Sequence, residues 1–178
     1  ILKNNTLQNL LNCAKKLNDK FSFLSPVTKN YKDKSIIEVK TCEGYAIFTD
    51  KQKFLKMGGW DENFFLFYEE TDLCRRIMKK NGIIYSGSDL IIEHLGEKSS
   101  FAAIPKLKVD YVKLRNWHLL WSSFYYEKKH FGFFYSFKKH LLSLFKDLIK
   151  IFFYIILFNK EKYFKHLYRF LGLFNSMI

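Results

Sequence analysis

GGWDENFFLFYEETDLCRR, residues 58–76, combines a Gly-Gly turn, a Trp-Asp-Glu triplet, an aromatic run, three carboxylates within four residues and two arginines. Eighteen positions further on, a histidine, His94, closes the strand-like run LIIEH. Carboxylates beside a buried aromatic segment raise the free energy unless they are paired or used. The same stretch sets the fold class. NFFLFY (63–68) reads as a buried extended segment, and EETDLCRRIMKKN (69–81) as a helix that stops at Gly82, with strands near 83–86 and 90–94. Strands alternating with helices predict an α/β sandwich.

Toward the start, TLQNLLNCAKKLND (6–19) places Leu7, Leu10, Leu11, Ala14 and Leu17 on one helical face, with Thr6 as N-cap. FSFLSP (21–26) reads as a short strand ended by Pro26, and SIIEVK (35–40) and GYAIFT (44–49) as two more. Asp50 caps a short helix, KQKFLKM, with Gly58 in the left-handed stop position. The chain begins with Ile inside a helix-like pattern, which reads as a piece cut from a longer protein.

The charge divides the chain. Residues 1–100 carry 16 Lys/Arg against 13 Asp/Glu, whereas residues 101–178 carry 14 against 4, with 22 of the 34 aromatic residues. A balanced part, 1–105, is therefore expected to be followed by a basic aromatic helical extension, 106–178. From about 107 the pattern is helical to the end, with Gly132 and Gly172 as its breaks. Within LLSLFKDLIKIFFYIILF (141–158) the longest run free of charge, 151–159, is nine residues. Spanning a bilayer takes roughly 20. Lys139, Ser143, Lys146, Asp147 and Lys150 share one face, and Phe and Ile cover much of the rest, the pattern of an interfacial helix. Packing of that helix on the globular part is the other reading. Cys13, Cys42 and Cys74 match neither a zinc pattern nor a disulfide framework, so free thiols in a reducing, cytoplasmic setting are expected.

The acids admit two readings from charge pattern alone. Glu69, Glu70 and Asp72 in a first helical turn offset the helix dipole, by about 0.3–1 kcal/mol each. Asp72 and Arg76 also form an i,i+4 pair. Capping, however, needs one acid and no Gly-Gly-Trp turn. An acidic helix start and a histidine at a strand end would both face the carboxyl edge of the sheet, where α/β folds bind ligands.

The order GGWDE (58–62), FFLFYEETDLCRR (64–76), Gly82 and EHLGEKSS (93–100) resembles the C-terminal half of family-2 glycosyltransferases, in the bacterial rhamnosyltransferase-like branch that builds surface polysaccharides. The likeness covers about residues 1–120 and is strongest over 58–100; RNWHLLW (115–121) resembles the helix that follows the catalytic domain there. It implies a partial GT-A sandwich followed by C-terminal amphipathic helices, and inverting transfer from a nucleotide-diphosphate sugar to a saccharide or lipid-linked acceptor. In that pattern Glu70 deprotonates the acceptor hydroxyl, with Asp72 as the alternative base. Trp60, Asp61, Glu69 and Arg76 would bind substrate, and His94 would stand near a Mg²⁺ or Mn²⁺ ion and the diphosphate. The family's metal-binding Asp-x-Asp lies upstream of ILKNNTLQNLL, and neither Asp19 nor Asp33 is spaced to replace it. This chain by itself is therefore expected to bind nucleotide-sugar weakly and to be inactive.

The free thiols and the basic interfacial helix lead to the expectation of a cytoplasmic location, peripheral on the inner face of the cell membrane, with an anionic membrane surface as a partner. A non-catalytic membrane-binding module with structural acids is the alternative. Nucleic acid is not expected as a partner, because the lysines lie on helices whose other faces are strongly apolar and no nucleic-acid motif is present.

Overall fold

The computed structural model describes residues 5–18, 20–27, 36–92 and 107–178. It is mixed α/β and mostly helical, and it divides into two compact units, Ile1–Asn63 with Glu69–Gly96, and Phe64–Tyr68 with Glu97–Ile178.

In the first unit the elements run α1 (Thr6–Lys16), β1 (Phe23–Val27), β2 (Ile36–Glu38), α2 (Lys51–Lys56), α3 (Glu69–Lys79) and β3 (Ile84–Ile91). The strands form one sheet in the order β1-β3-β2, with β1 parallel and β2 antiparallel to the central β3. Alternation along β1 sends successive side chains to opposite faces. Leu24 packs with Leu10, Cys13, Ala14 and Leu90 under α1, whereas Phe23 packs with Leu73, Cys74, Ile77 and Ile84 under α3. The sheet is thus covered on both faces.

Several sequence expectations change on folding. β1 runs through Pro26, because the register shifts between Ser25 and Val27 and the missing N–H falls at that irregularity. GYAIFT forms no strand; Gly44 and Tyr45 lie in a turn, and Phe48 alone bridges, exchanging two 2.9 Å hydrogen bonds with Leu24. The two strands expected near 83–86 and 90–94 are one strand as far as Ile91, and His94 lies outside the described residues. α3 ends at Lys79, and Asn81, with φ 57°, takes the left-handed position ahead of Gly82.

NFFLFY is not a buried strand. Phe67 and Tyr68 have φ of 66° and 71°, and Phe65 is 71% exposed. Residues 64–68 belong to the second unit, where Phe64 packs edge-on to Tyr125 at 5.0 Å and Phe65 lies against His118 at 4.8 Å. The Ser122 hydroxyl donates to the Leu66 carbonyl at 2.8 Å. These rings find their partners on a helix, so the segment needs no neighbouring strand.

The second unit also holds α4 (Lys108–Phe131), α5 (Phe133–Ile156) and α6 (Lys160–Met177). Gly132, at φ 91° and ψ 163°, makes the corner between α4 and α5, in a region essentially closed to other residues. The next corner comes at Phe158, φ 52°, with Asn159 capping α6. Gly172 breaks nothing. It lies inside α6, where a Cβ would sit 2.2 Å from the Trp117 carbonyl oxygen, so glycine lets α6 approach the α4 backbone. This contact and the Lys108–Glu161 ion pair, 3.1 Å, make α4 and α6 parallel. α5 runs antiparallel to both, as its contacts to Phe124 and Arg169 require.

α5 turns its polar side inward. The Ser136 hydroxyl donates to the Phe124 carbonyl at 2.9 Å, and His140 Nδ1 lies 2.9 Å from the Ser136 carbonyl. A carbonyl only accepts, so Nδ1 carries the proton and Nε2 accepts from Ser123 Oγ at 3.0 Å. Asp147 accepts from His166 Nδ1 at 2.7 Å and from Arg169 at 3.1 Å. Burial lowers the pKa of both histidines. The opposite side of α5 carries exposed Phe134, Leu142, Phe145, Ile149, Phe152 and Ile156. Among the described residues no helix is long and apolar enough to cross a membrane.

Replacing Gly172 with Ala should destabilise the helical unit by about 1–3 kcal/mol or more through overpacking. Urea unfolding followed by helix content reads it, and an unchanged midpoint would show that the backbones are not in contact.

Candidate functional site

Four short elements of the first unit meet at the start of α3. Asp50 accepts from the Lys53 N–H at 2.9 Å and opens α2, which ends at Gly58, φ 87°. The chain then turns through Gly59 to Asn63. Trp60 rests edge-on against Phe54 at 5.5 Å and stays 43% exposed. Asp61 Oδ1 accepts from the Asn63 N–H at 3.0 Å and its side-chain amide at 2.8 Å, which closes the turn on itself.

Arg76 holds this turn to α3. Its Nε donates to Asp72 Oδ2 at 2.8 Å, while Nη1 and Nη2 each donate at 2.6 Å, to the carbonyls of Met57 and Gly59. Asp72 has 0% exposure. The i,i+4 spacing that allowed a surface pair here makes a buried one, so Asp72, the expected alternative base, has no exposed surface in this structure.

Glu70 is placed differently. It is half-buried one turn before Cys74, and Thr71 Oγ1 donates to its Oε1 at 3.0 Å. Its Oε2 lies against Gly44, where an added Cβ would be 3.3 Å away. Burial raises its pKa above the ordinary carboxylate value, reinforced by the charges of Glu69 and Glu43; the Thr71 hydroxyl and a backbone N–H pull the other way. Glu69 is half-buried too, and its Oε2 has no hydrogen-bond partner among the described residues. Beneath them Cys42 and Cys74 bring their sulfurs to 3.4 Å. Sharing this hydrogen bond raises the pKa of the Cys42 thiol and lowers that of Cys74.

The segment 42–44 that touches Glu70 also walls a cleft of about 260 Å³ beside the carboxyl half of β1, lined by Ser25, Val27, Ile37, Cys42, Glu43 and Tyr45. The structure thus places Trp60 and Asp61 in a turn whose start Arg76, paired with Asp72, bonds to α3, with Glu69 and Glu70 at the helix start. Sequence reasoning missed Cys42 and Gly44, which it assigned to no site; the Glu-Gly pair at 43–44 is the turn signal that would have marked them. Among the described residues no three His, Cys, Asp or Glu groups gather as metal ligands, so these residues alone do not fit a divalent cation.

No family model, curated protein or solved structure matches this chain.

Replacing Arg76 with Ala removes the ion-pair partner of the fully buried Asp72 carboxylate. Loss of about 3–5 kcal/mol is expected, read by denaturant unfolding. A D72A/R76A double variant should recover much of that loss, whereas an equally unstable double variant would mean the pair does not act as one.

Proposed function

We propose that the first unit is the acceptor-and-base half of an inverting glycosyltransferase of the family-2, GT-A type, with Glu70 as general base. The observation that carries this reading is the half-buried Glu70 carboxylate with a raised pKa, standing next to a turn fixed by Arg76 and Asp72. A sugar hydroxyl is a poor nucleophile until its proton is taken. In the proposed step the acceptor oxygen attacks the anomeric carbon of a nucleotide-diphosphate sugar while its proton passes to Glu70. The bond to the diphosphate breaks, its electron pair leaves with the nucleotide, and the configuration inverts. A base whose pKa is raised toward the working pH takes up that proton more readily than an ordinary surface carboxylate. Exposed Trp60 gives a flat apolar face suited to a sugar ring. His94 and a Mg²⁺ or Mn²⁺ ion remain part of the resemblance only.

A second reading has its own observation. α5 covers its polar side with α4 and α6 and leaves its Phe, Leu and Ile side chains in solvent, which fits peripheral binding to an anionic membrane surface. The two readings are compatible in an enzyme with a lipid-linked acceptor.

Transfer from a panel of UDP-, dTDP- and GDP-sugars, read as release of nucleoside diphosphate by the protein as the cell makes it, separates them. E70Q should lower kcat by about 10²–10⁴ and leave vesicle binding unchanged. Because Glu70 must be deprotonated to act, wild-type kcat should fall as pH drops through a value above the usual Glu range, a limb absent from E70Q. Wild-type turnover in E70Q would sink the base assignment and leave the membrane reading alone.

A further inference from the structure

The helical unit contains a second cleft, of about 540 Å³, between the first halves of α4 and α6. Its size falls within the range of small-molecule sites. The lining is cationic: Lys108, Arg115, Lys162, Lys165 and Arg169 contribute, with Tyr111 and Asn116 as further polar groups and Glu161 as the acid. Lys108 is answered by Glu161 at 3.1 Å, and Arg169 by the buried Asp147 at 3.1 Å. Lys162 leans over the Tyr154 ring at 5.4 Å, and neither it nor Lys165 has an acidic partner among the described residues.

The position of this cleft narrows what it holds. α5 is antiparallel to α6, so the last turns of α5 run beside the first turns of α6 that line the cleft; the Lys162–Tyr154 contact is the direct link. Those last turns and the two residues after them carry an exposed apolar cluster, with Phe152 66% and Phe158 91% exposed beside Ile155, Ile156 and Leu157. A ligand matched to both features has an anionic head for the lysines and arginines and an apolar body for the adjoining surface.

We propose that the cleft between α4 and α6 seats the phosphate of an anionic membrane lipid, with Lys162 and Lys165 as its principal ligands and Arg115 and Arg169 at its wall. The proposal rests on the membrane reading above and adds to it a defined headgroup site. Arg169 is held in place by Asp147 and Ser143, so its free edge is presented without rearrangement. The Tyr111 hydroxyl, which accepts from Arg115 at 3.2 Å, can itself donate to a phosphate oxygen. Lysine and arginine near a membrane surface contribute about 1 kcal/mol each toward anionic lipid, and a shaped cleft adds selectivity for the headgroup that fits it.

The test uses the chain on vesicles of phosphatidylcholine alone, or mixed with phosphatidylglycerol or phosphatidic acid. K162E/K165E should weaken binding to the anionic vesicles by about tenfold or more, well beyond K15E/K16E, the same charge change on exposed lysines of the first unit. An equal loss in both double variants would overturn the proposal, because diffuse charge would then explain it. F152S/I156S alters the exposed apolar cluster and no lining residue of the cleft, and should weaken binding to every vesicle. If wild type binds no vesicle, the membrane reading fails. The cleft is then decided by titration with soluble dihexanoyl phosphatidic acid: NMR shifts confined to the cleft residues support it, and their absence overturns it. The same shifts from inorganic phosphate at equal concentration would overturn a lipid as the source.

Discussion

Three donors of one side chain organise the first unit. Arg76 bonds a carboxylate on its own helix and two carbonyls at the end of α2. Asp72 sets the guanidinium's plane, and the guanidinium sets the path of Gly58 to Trp60. Glu70 then projects from the same first turn, two residues before Asp72, with no ion pair among the described residues. The division of labour among three neighbouring acids follows from this. Asp72 is ion-paired and buried, whereas Glu69 and Glu70 are half-buried, and burial raises the pKa of Glu70.

Much of this was legible in residues 69–79, where acids at the start, apolar positions 73, 74 and 77 and basic residues at the end all agree on one helix. The Asp50 cap, the corner at Gly132 and the strands β1 and β2 were legible for the same local reason. Failures came where a local signal has two tertiary outcomes. The aromatic run 64–68 has strand propensity whether it joins a sheet or packs on a helix, and only the presence of α4 decides. Gly172 reads as a helix breaker, yet its missing side chain serves a close contact 55 residues away in sequence, with Trp117. The acids of the α3 start were legible as a group, but spacing cannot tell an enclosed Asp72 from a half-buried Glu70.

The second unit illustrates a different limit of pattern reading. Periodicity along α5 distinguishes two faces but does not say which is covered. Here the covered face is polar, and its cost is met by specific bonds: Ser136 to a carbonyl, His140 between two oxygens, Asp147 between His166 and Arg169. Lys139 pairs with Glu127 at its margin. The apolar core proper is small, centred on Leu120, Phe124 and Leu173. In water such an arrangement leaves much apolar area exposed, so its lowest free energy lies in contact with something apolar.

The Gly172–Trp117 contact has a bearing beyond packing. It fixes how near α4 and α6 come at one end of the cationic cleft, while Lys108 and Glu161 join them at the other. The width of the cleft is therefore governed partly by a residue that lines none of it. A single methyl group at 172 would act as a spacer between two rods and widen the gap between them, so the shape of the cleft is set partly by the absence of a side chain.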